Sequence, residues 1–237
     1  MDLNKYYKEK GLCLTNRKLP MSFRSVRDYL FGIKTPIRIM EEGFIKDFMP
    51  LLKGKVIELG ASKNNRYKRF AVSASEYILS NLSKDDPDMM YLDVLNMHLE
   101  DNSVDGIVCL NVLEHVIDPG KAIREIKRVL KPGGKIFLTV PFTYYFHPFP
   151  DDLYRFSPSA LSESFKDFNI IRCETLGNIW STLATIIQKP RFKGSLRTLD
   201  MLVHMLGLVF CLLSRTRGYQ DEYLMICCLI AEKKHAK

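Results

Sequence analysis

The chain switches repeatedly between two hydrophobic periods, and this constrains its fold more than any single residue does. Residues 37–52 place Ile37, Ile39, Met40, Phe44, Ile45, Phe48 and Leu51 near helical spacing, and Gly54 ends the pattern. Val56-Ile57-Glu58-Leu59-Gly60 is then a short apolar run stopped by glycine, as expected of a buried strand entering a turn. Residues 64–71 read as a helix or loop. Further strand-like runs follow at Tyr77-Ile78-Leu79, at Met90-Tyr91-Leu92, over 106–110 and over 135–140, with 170–173 and 223–231 as later candidates. Between two of them, Asp118-Pro119 opens a helix with an acid cap and a first-turn proline. Ala122, Ile123, Ile126, Val129 and Leu130 form its apolar stripe, and Lys131-Pro132-Gly133-Gly134 stops it.

Strands alternating with helices predict a parallel, doubly wound α/β sheet. In such sheets ligands bind beyond the carboxyl ends of the strands. That rule gathers Gly60, Asn81, Asp93, Asn111 and the residues from Pro141 onward on one rim. The 237 residues, 46% of them hydrophobic, suffice for one such domain and argue against a small disulfide scaffold or a multi-span membrane protein. The six cysteines form no CxxC pair and read as reduced core residues, and no zinc-ligand spacing occurs, so no metal is expected. No signal peptide is visible in the first thirty residues, which suits a cytoplasmic protein. The net charge of +8 allows an anionic substrate, a nucleic acid or an acidic membrane. Nucleic acid is disfavoured, because the cations are spread along the chain and no base-flipping Asn-Pro-Pro-Tyr or Asp-Pro-Pro-Tyr signature occurs.

Four segments carry candidate chemistry. Glu58-Leu59-Gly60-Ala61-Ser62 joins a carboxylate to a glycine turn that lets backbone approach a ligand. Tyr91-Leu92-Asp93-Val94 ends a strand on an acid that can accept from an exocyclic amine or merely cap a turn. The others are the stretch from Asp105 to Val116, containing Leu113-Glu114-His115, and Arg128-Val129-Leu130-Lys131-Pro132-Gly133-Gly134.

In this order and spacing the segments resemble the class I S-adenosylmethionine-dependent methyltransferases, specifically the type 11 family. The resemblance covers roughly 56–140, and the stretch from His147 to Pro158 is similar to a segment of some members. It implies a Rossmann-like, seven-stranded, mostly parallel sheet whose last strand is antiparallel. It also implies S-adenosyl-L-methionine as cofactor, with S-adenosyl-L-homocysteine as product. Matched residue by residue, Glu58, Gly60, Ala61 and Ser62 fall where the family holds the methionine part. Asp93 and Val94 fall beside adenine, Leu110 and Asn111 under the cofactor, and Glu114-His115 at the active-site mouth. The glycine-rich loop is thinned by Ser62 and Asn64, and Asn81 stands where an acid usually meets the ribose hydroxyls, unless Asp85 or Asp86 does so. A neutral Asn81 forgoes a charge-assisted bond worth about 1–2 kcal/mol.

Methyl transfer is an in-line displacement in which the protein chiefly supplies position. A hydroxyl acceptor gains from a general base, for which His115, His147 and Asp152 are the candidates. Tyr144, Tyr145, Asp151 and Arg155 are candidate substrate contacts, with an Asp152–Arg155 structural pair as the plainer reading of that segment. The expected activity is O-methylation of a small molecule or glycan. N-methylation of an amino sugar or amine is the alternative, and a non-catalytic cofactor-binding partner protein is the alternative of another class.

The domain spans 36–237, with one extension before it and one insertion within it. Residues 1–35 read as a basic N-terminal helical extension, a cover. A helical insertion over about 180–222 precedes the last strand and contains the apolar stretch 196–213. That stretch is short for a membrane span, which needs about 20 apolar residues. It is open to three readings: a core or lid helix, a peripheral membrane contact, or a homodimer contact.

Overall fold

The computed structural model describes residues 14–17, 19, 22–31, 33–64, 67–83, 86–148, 150–188, 197–213 and 224–235, with the side chains of 14–17 and 197–201 left aside. Cys13, Asp85, Lys189, Arg191, Lys193, Arg215 and Arg217, named for their chemistry or charge, lie outside the described residues.

The strands are β1 (Leu14–Arg17), β2 (Gly54–Leu59), β3 (Ala74–Asn81), β4 (Met90–Tyr91), β5 (Val104–Leu110), β6 (Leu130–Pro141), β7 (Phe168–Leu176) and β8 (Ile226–Lys233). The helices are α1 (Phe23–Leu30), α2 (Pro36–Phe48), α3 (Pro119–Val129), α4 (Pro158–Ser164), α5 (Ile179–Gln188) and α6 (Arg197–Leu213). The sheet order is β1-β7-β8-β6-β5-β2-β3-β4. Only β8 runs antiparallel to its neighbours, β6 and β7. Chain order reverses between β2 and β5, so the crevice at their carboxyl ends is the ligand position of a doubly wound sheet.

Seven of these strands and α3 lie where the hydrophobic periods place them. Asp118 caps α3 by accepting from the Lys121 amide at 2.8 Å. Lys131-Pro132-Gly133-Gly134 turns the chain as a bulge within β6: the β5 partners jump from Leu130, opposite Val104, to Lys135, opposite Gly106. Residues 64–71 give only a 3-10 turn, Lys68–Phe70. The eighth strand is the difference. The extension expected to be helical contributes β1, which pairs parallel with β7 at the sheet edge, as well as α1.

Both sheet faces are buried, as period-2 alternation in a covered parallel sheet requires. Ile57, Ile107 and Ile136 face one core, under α3 and α4, together with Ile126, Leu161 and Phe165. Val56, Val108 and Phe137 face the other, under α2, α5, α1 and α6, together with Phe44 and Met49. Cys109, Cys173, Cys211, Cys227 and Cys228 are free and buried.

Candidate active site

A cavity of about 340 Å³ opens at the tips of β2 and β5. It is within the range of small-ligand sites. Glu58, Gly60 and Ser62 line it from the end of β2 and the turn after it, Leu110 and Asn111 from the end of β5, and Pro141 from the end of β6. Glu114, His115, Tyr144, Tyr145 and His147 close its mouth. Ile37, Arg38 and Glu41 form a wall from α2.

The first turn suits a ligand close to backbone. Gly60 has φ +63°, and a Cβ there would meet Val112 Cγ2 at 2.7 Å. Glu58 accepts from the Tyr77 hydroxyl at 2.7 Å, and burial raises its carboxyl above the ordinary value despite that bond. Asn111 sits at φ +53°, which asparagine tolerates, and its amide donates to Glu41 Oε1 at 2.6 Å. Glu41 also accepts from Thr139 Oγ1 at 3.0 Å and Arg38 at 2.8 Å, which satisfies a fully buried charge.

Glu114 is different. It is fully buried, and neither carboxyl oxygen has a hydrogen-bond partner among the described residues. Burial pushes its carboxyl up to about 8, with the nearby Glu41 adding to the effect. His115 Nε2 lies 3.8 Å from Glu114 Oε1. The His115 and His147 rings meet edge to face at 5.0 Å.

Both imidazoles are oriented from behind. His115 Nδ1 lies 2.8 Å from the Asp151 carbonyl. His147 Nδ1 lies 3.1 Å from the Tyr145 carbonyl and 3.1 Å from Asp152 Oδ2. These partners only accept, so each neutral ring carries its proton on Nδ1 and leaves Nε2 bare. Asp152 is in turn clamped by both terminal nitrogens of Arg155, one at 2.6 Å, and accepts from the His147 amide at 3.1 Å. Arg155 holds its carboxyl well below the usual range. The result is a His–Asp pair behind the mouth, beside an acid able to share a proton. The ligand atoms of Glu114, His115 and His147 lie within 4.8 Å of one another.

Residues 53–138 match the type 11 family's methyltransferase domain, and the strand order above is that of a Rossmann-like class I sheet. That match identifies a methyltransferase domain over residues 53–138 of the 237. Over 37 residues it is 54% identical to the ubiquinone biosynthesis O-methyltransferase of Xanthomonas oryzae pv. oryzae, a match covering 16% of each chain. A solved SAM-dependent methyltransferase from Archaeoglobus fulgidus has TM-score 0.55 and 13% identity, over 87% of this chain and 100% of that one. Phosphoethanolamine N-methyltransferase 2 of Haemonchus contortus, solved with S-adenosyl-L-methionine, has TM-score 0.54 and 17% identity, over 90% of this chain and 58% of that one. At such identities the likeness to these structures is one of fold.

The expected site residues divide. Glu58, Gly60, Ser62, Leu110, Asn111, His115, Tyr144, Tyr145 and His147 line the cavity. Ala61, Asn81, Asp93, Val94, Asp151, Asp152 and Arg155 are not among its lining residues. Asn81 donates to the Ala61 carbonyl at 2.7 Å and accepts from the Leu82 amide at 2.7 Å, tying the β2 turn to the end of β3. Asp93 accepts from the Leu95 amide at 2.8 Å. Asp152 and Arg155 form the pair already described. Asp151 orients His115 through its backbone. Sequence reasoning missed the α2 wall. Its signal was Glu41, a charge on the apolar face between Ile37, Met40 and Phe44.

The cavity's chemistry fits the implied cofactor. Three buried carboxylates, Glu41, Glu58 and Glu114, line it, and one has no partner among the described residues. Such a lining suits a ligand carrying a sulfonium and an ammonium group.

Proposed function

We propose that this chain transfers a methyl group from S-adenosyl-L-methionine to a hydroxyl oxygen of a small molecule or sugar. The cofactor, when bound, supplies an electrophilic methyl group on a sulfonium. Glu58 and the backbone of Gly60, Ala61 and Ser62 would hold its methionine part, above Leu110 and Asn111. Asn81, Asp93 and Val94 are assigned to its ribose and adenine end on the motif alone.

The acceptor enters past the stacked Tyr144 and Tyr145, whose rings are 4.3 Å apart. His147 Nε2 would take the acceptor's hydroxyl proton as that oxygen accepts the methyl group the cofactor would supply. Asp152 stabilises the imidazolium, and Arg155 keeps Asp152 ionised. His115 and Glu114 complete the proton-handling cluster. Tyr145, Asp151 and Arg155 border the acceptor's path.

The observation that carries the oxygen reading is the bare Nε2 of His147 backed by Asp152. A neutral amine acceptor needs no base before attack, so the pair would be idle there. The names of similar proteins do not decide, since one is an O- and one an N-methyltransferase.

Titration calorimetry with S-adenosylmethionine and S-adenosylhomocysteine, followed by labelled methyl transfer to panels of phenols, sugars and amines, tests the proposal. Turnover of hydroxyls that His147→Ala abolishes is expected. Turnover confined to amines and indifferent to His147 would favour N-methylation. Cofactor binding with no turnover on any panel would favour a non-catalytic partner protein.

A further inference from the structure

The outer face of α6 is unlike the outside of α3. Helix α3 turns Lys121, Arg124, Lys127 and Arg128 outward, as a helix finished for water does. From 201 to 213 the chain has no Asp, Glu, Lys or Arg. His204, Gly207 and Cys211 turn inward against α1 and the second core. His204 and Cys211 are buried, His204 meets the Tyr29 ring at 5.9 Å, and a Cβ on Gly207 would strike the Tyr29 hydroxyl. The opposite face presents Leu202, Met205, Leu206, Val209 and Leu212, each about half exposed or more. Ile186 of the adjoining α5 is also exposed. No helix among the described residues is long and apolar enough to cross a membrane.

We propose that this face docks on an anionic lipid surface, with α6 lying in the interface plane. Charge selects the occupant. The insertion over 180–222 holds six cations, Lys189, Arg191, Lys193, Arg197, Arg215 and Arg217, and three acids, a net of 6 − 3 = +3. Four of the cations precede the apolar stretch and two follow it. Both ends of the helix are therefore flanked by cations, as in interfacial helices on acidic membranes. A second copy laid along α6 would bring basic ends together whether the helices ran parallel or antiparallel. Helix α1 adds Phe23 and Phe31, both exposed, and the exposed cations Arg24 and Arg27. The inference does not depend on the reaction proposed above.

Flotation of the full chain with vesicles tests this, using phosphatidylcholine alone and with roughly 30% phosphatidylglycerol. The chain's single tryptophan, Trp180, stacks on Phe210 of α6 at 5.8 Å and reports contact through quenching by brominated lipid. Binding to the anionic vesicles is expected, at least about tenfold tighter than to the neutral ones and weakened by salt. Leu206→Glu with Val209→Glu should cut it at least about tenfold while cofactor affinity, measured in the same preparation, stays unchanged. Wild-type protein that floats with neither vesicle overturns the proposal without recourse to a variant. So does equal flotation of the double variant. A dimer in sedimentation that fails to float, and dissociates on the same substitutions, would assign the face to a second copy.

Discussion

Two sets of polar groups ring the tips of β2 and β5, and they differ in whether their hydrogen bonds are complete. Glu41, Asn81, Asn111 and Asp152 all have protein partners, and each holds one part of the chain against another. Glu114 has none for its carboxyl among the described residues, and His115 and His147 are oriented so that Nε2 is bare. The first set ties the chain together around the site. The second keeps the capacity to move a proton. Sequence motif does not separate them, since Asp93 falls on the family's pattern as His115 does, yet accepts from the nearby Leu95 amide.

The largest test of this contrast is His147→Ala, expected to lower methyl transfer by about 10²–10⁴-fold with cofactor affinity within a few fold. Asp152→Asn should preserve shape yet lower turnover by on the order of tenfold or more, because the imidazolium loses its counter-charge. The pH–rate profile of that variant should shift, whereas a merely structural role would alter only its melting temperature.

Glu114→Gln separates the two sets through stability. Burial raises this carboxyl from the ordinary 4.5 to about 8. Between those values the folded chain keeps a proton that the unfolded chain has lost, so wild-type stability should fall as pH rises through that window. The glutamine variant lacks this slope, and its advantage should grow by up to about 1.4 kcal/mol per pH unit in denaturant melts. A smaller effect, about 1–2 kcal/mol, is expected for Gly60→Ala from its left-handed backbone, with weakened cofactor binding in calorimetry. The smallest expected effect is that of a chelator. Turnover unchanged by EDTA fits an acid–base cluster, and loss restored by a divalent cation would make Glu114, His115 and His147 its ligands instead.

Much of the fold was legible because buried strands and amphipathic helices write different periods. Asp118-Pro119 and the Lys131–Gly134 turn are examples in which side-chain chemistry and backbone geometry act within a few residues. β1 escaped because Leu-Thr-Asn-Arg is short and has a single apolar residue, and only the distant edge of β7 makes it a strand. Glu58, Gly60, His115 and His147 were legible as rim residues, and they line the cavity, because strand ends collect on one rim. That Asp152 serves His147 while Glu114 is left without a partner depends on contacts between loops, which no local pattern encodes. The α2 wall escaped for the same reason.

That wall has a consequence for dissecting the protein. The matched stretch, 53–138, begins after α2 and ends before β8. A fragment cut at those limits would leave the amide of Asn111 without the Glu41 carboxylate and would lose Thr139, the other donor to it. It would also strip the outer strand from β6 and uncover Phe137. The matched segment is thus smaller than the piece of chain that lines the cavity, which reaches from Ile37 to Ile226. Swapping it between relatives would transplant half a pocket.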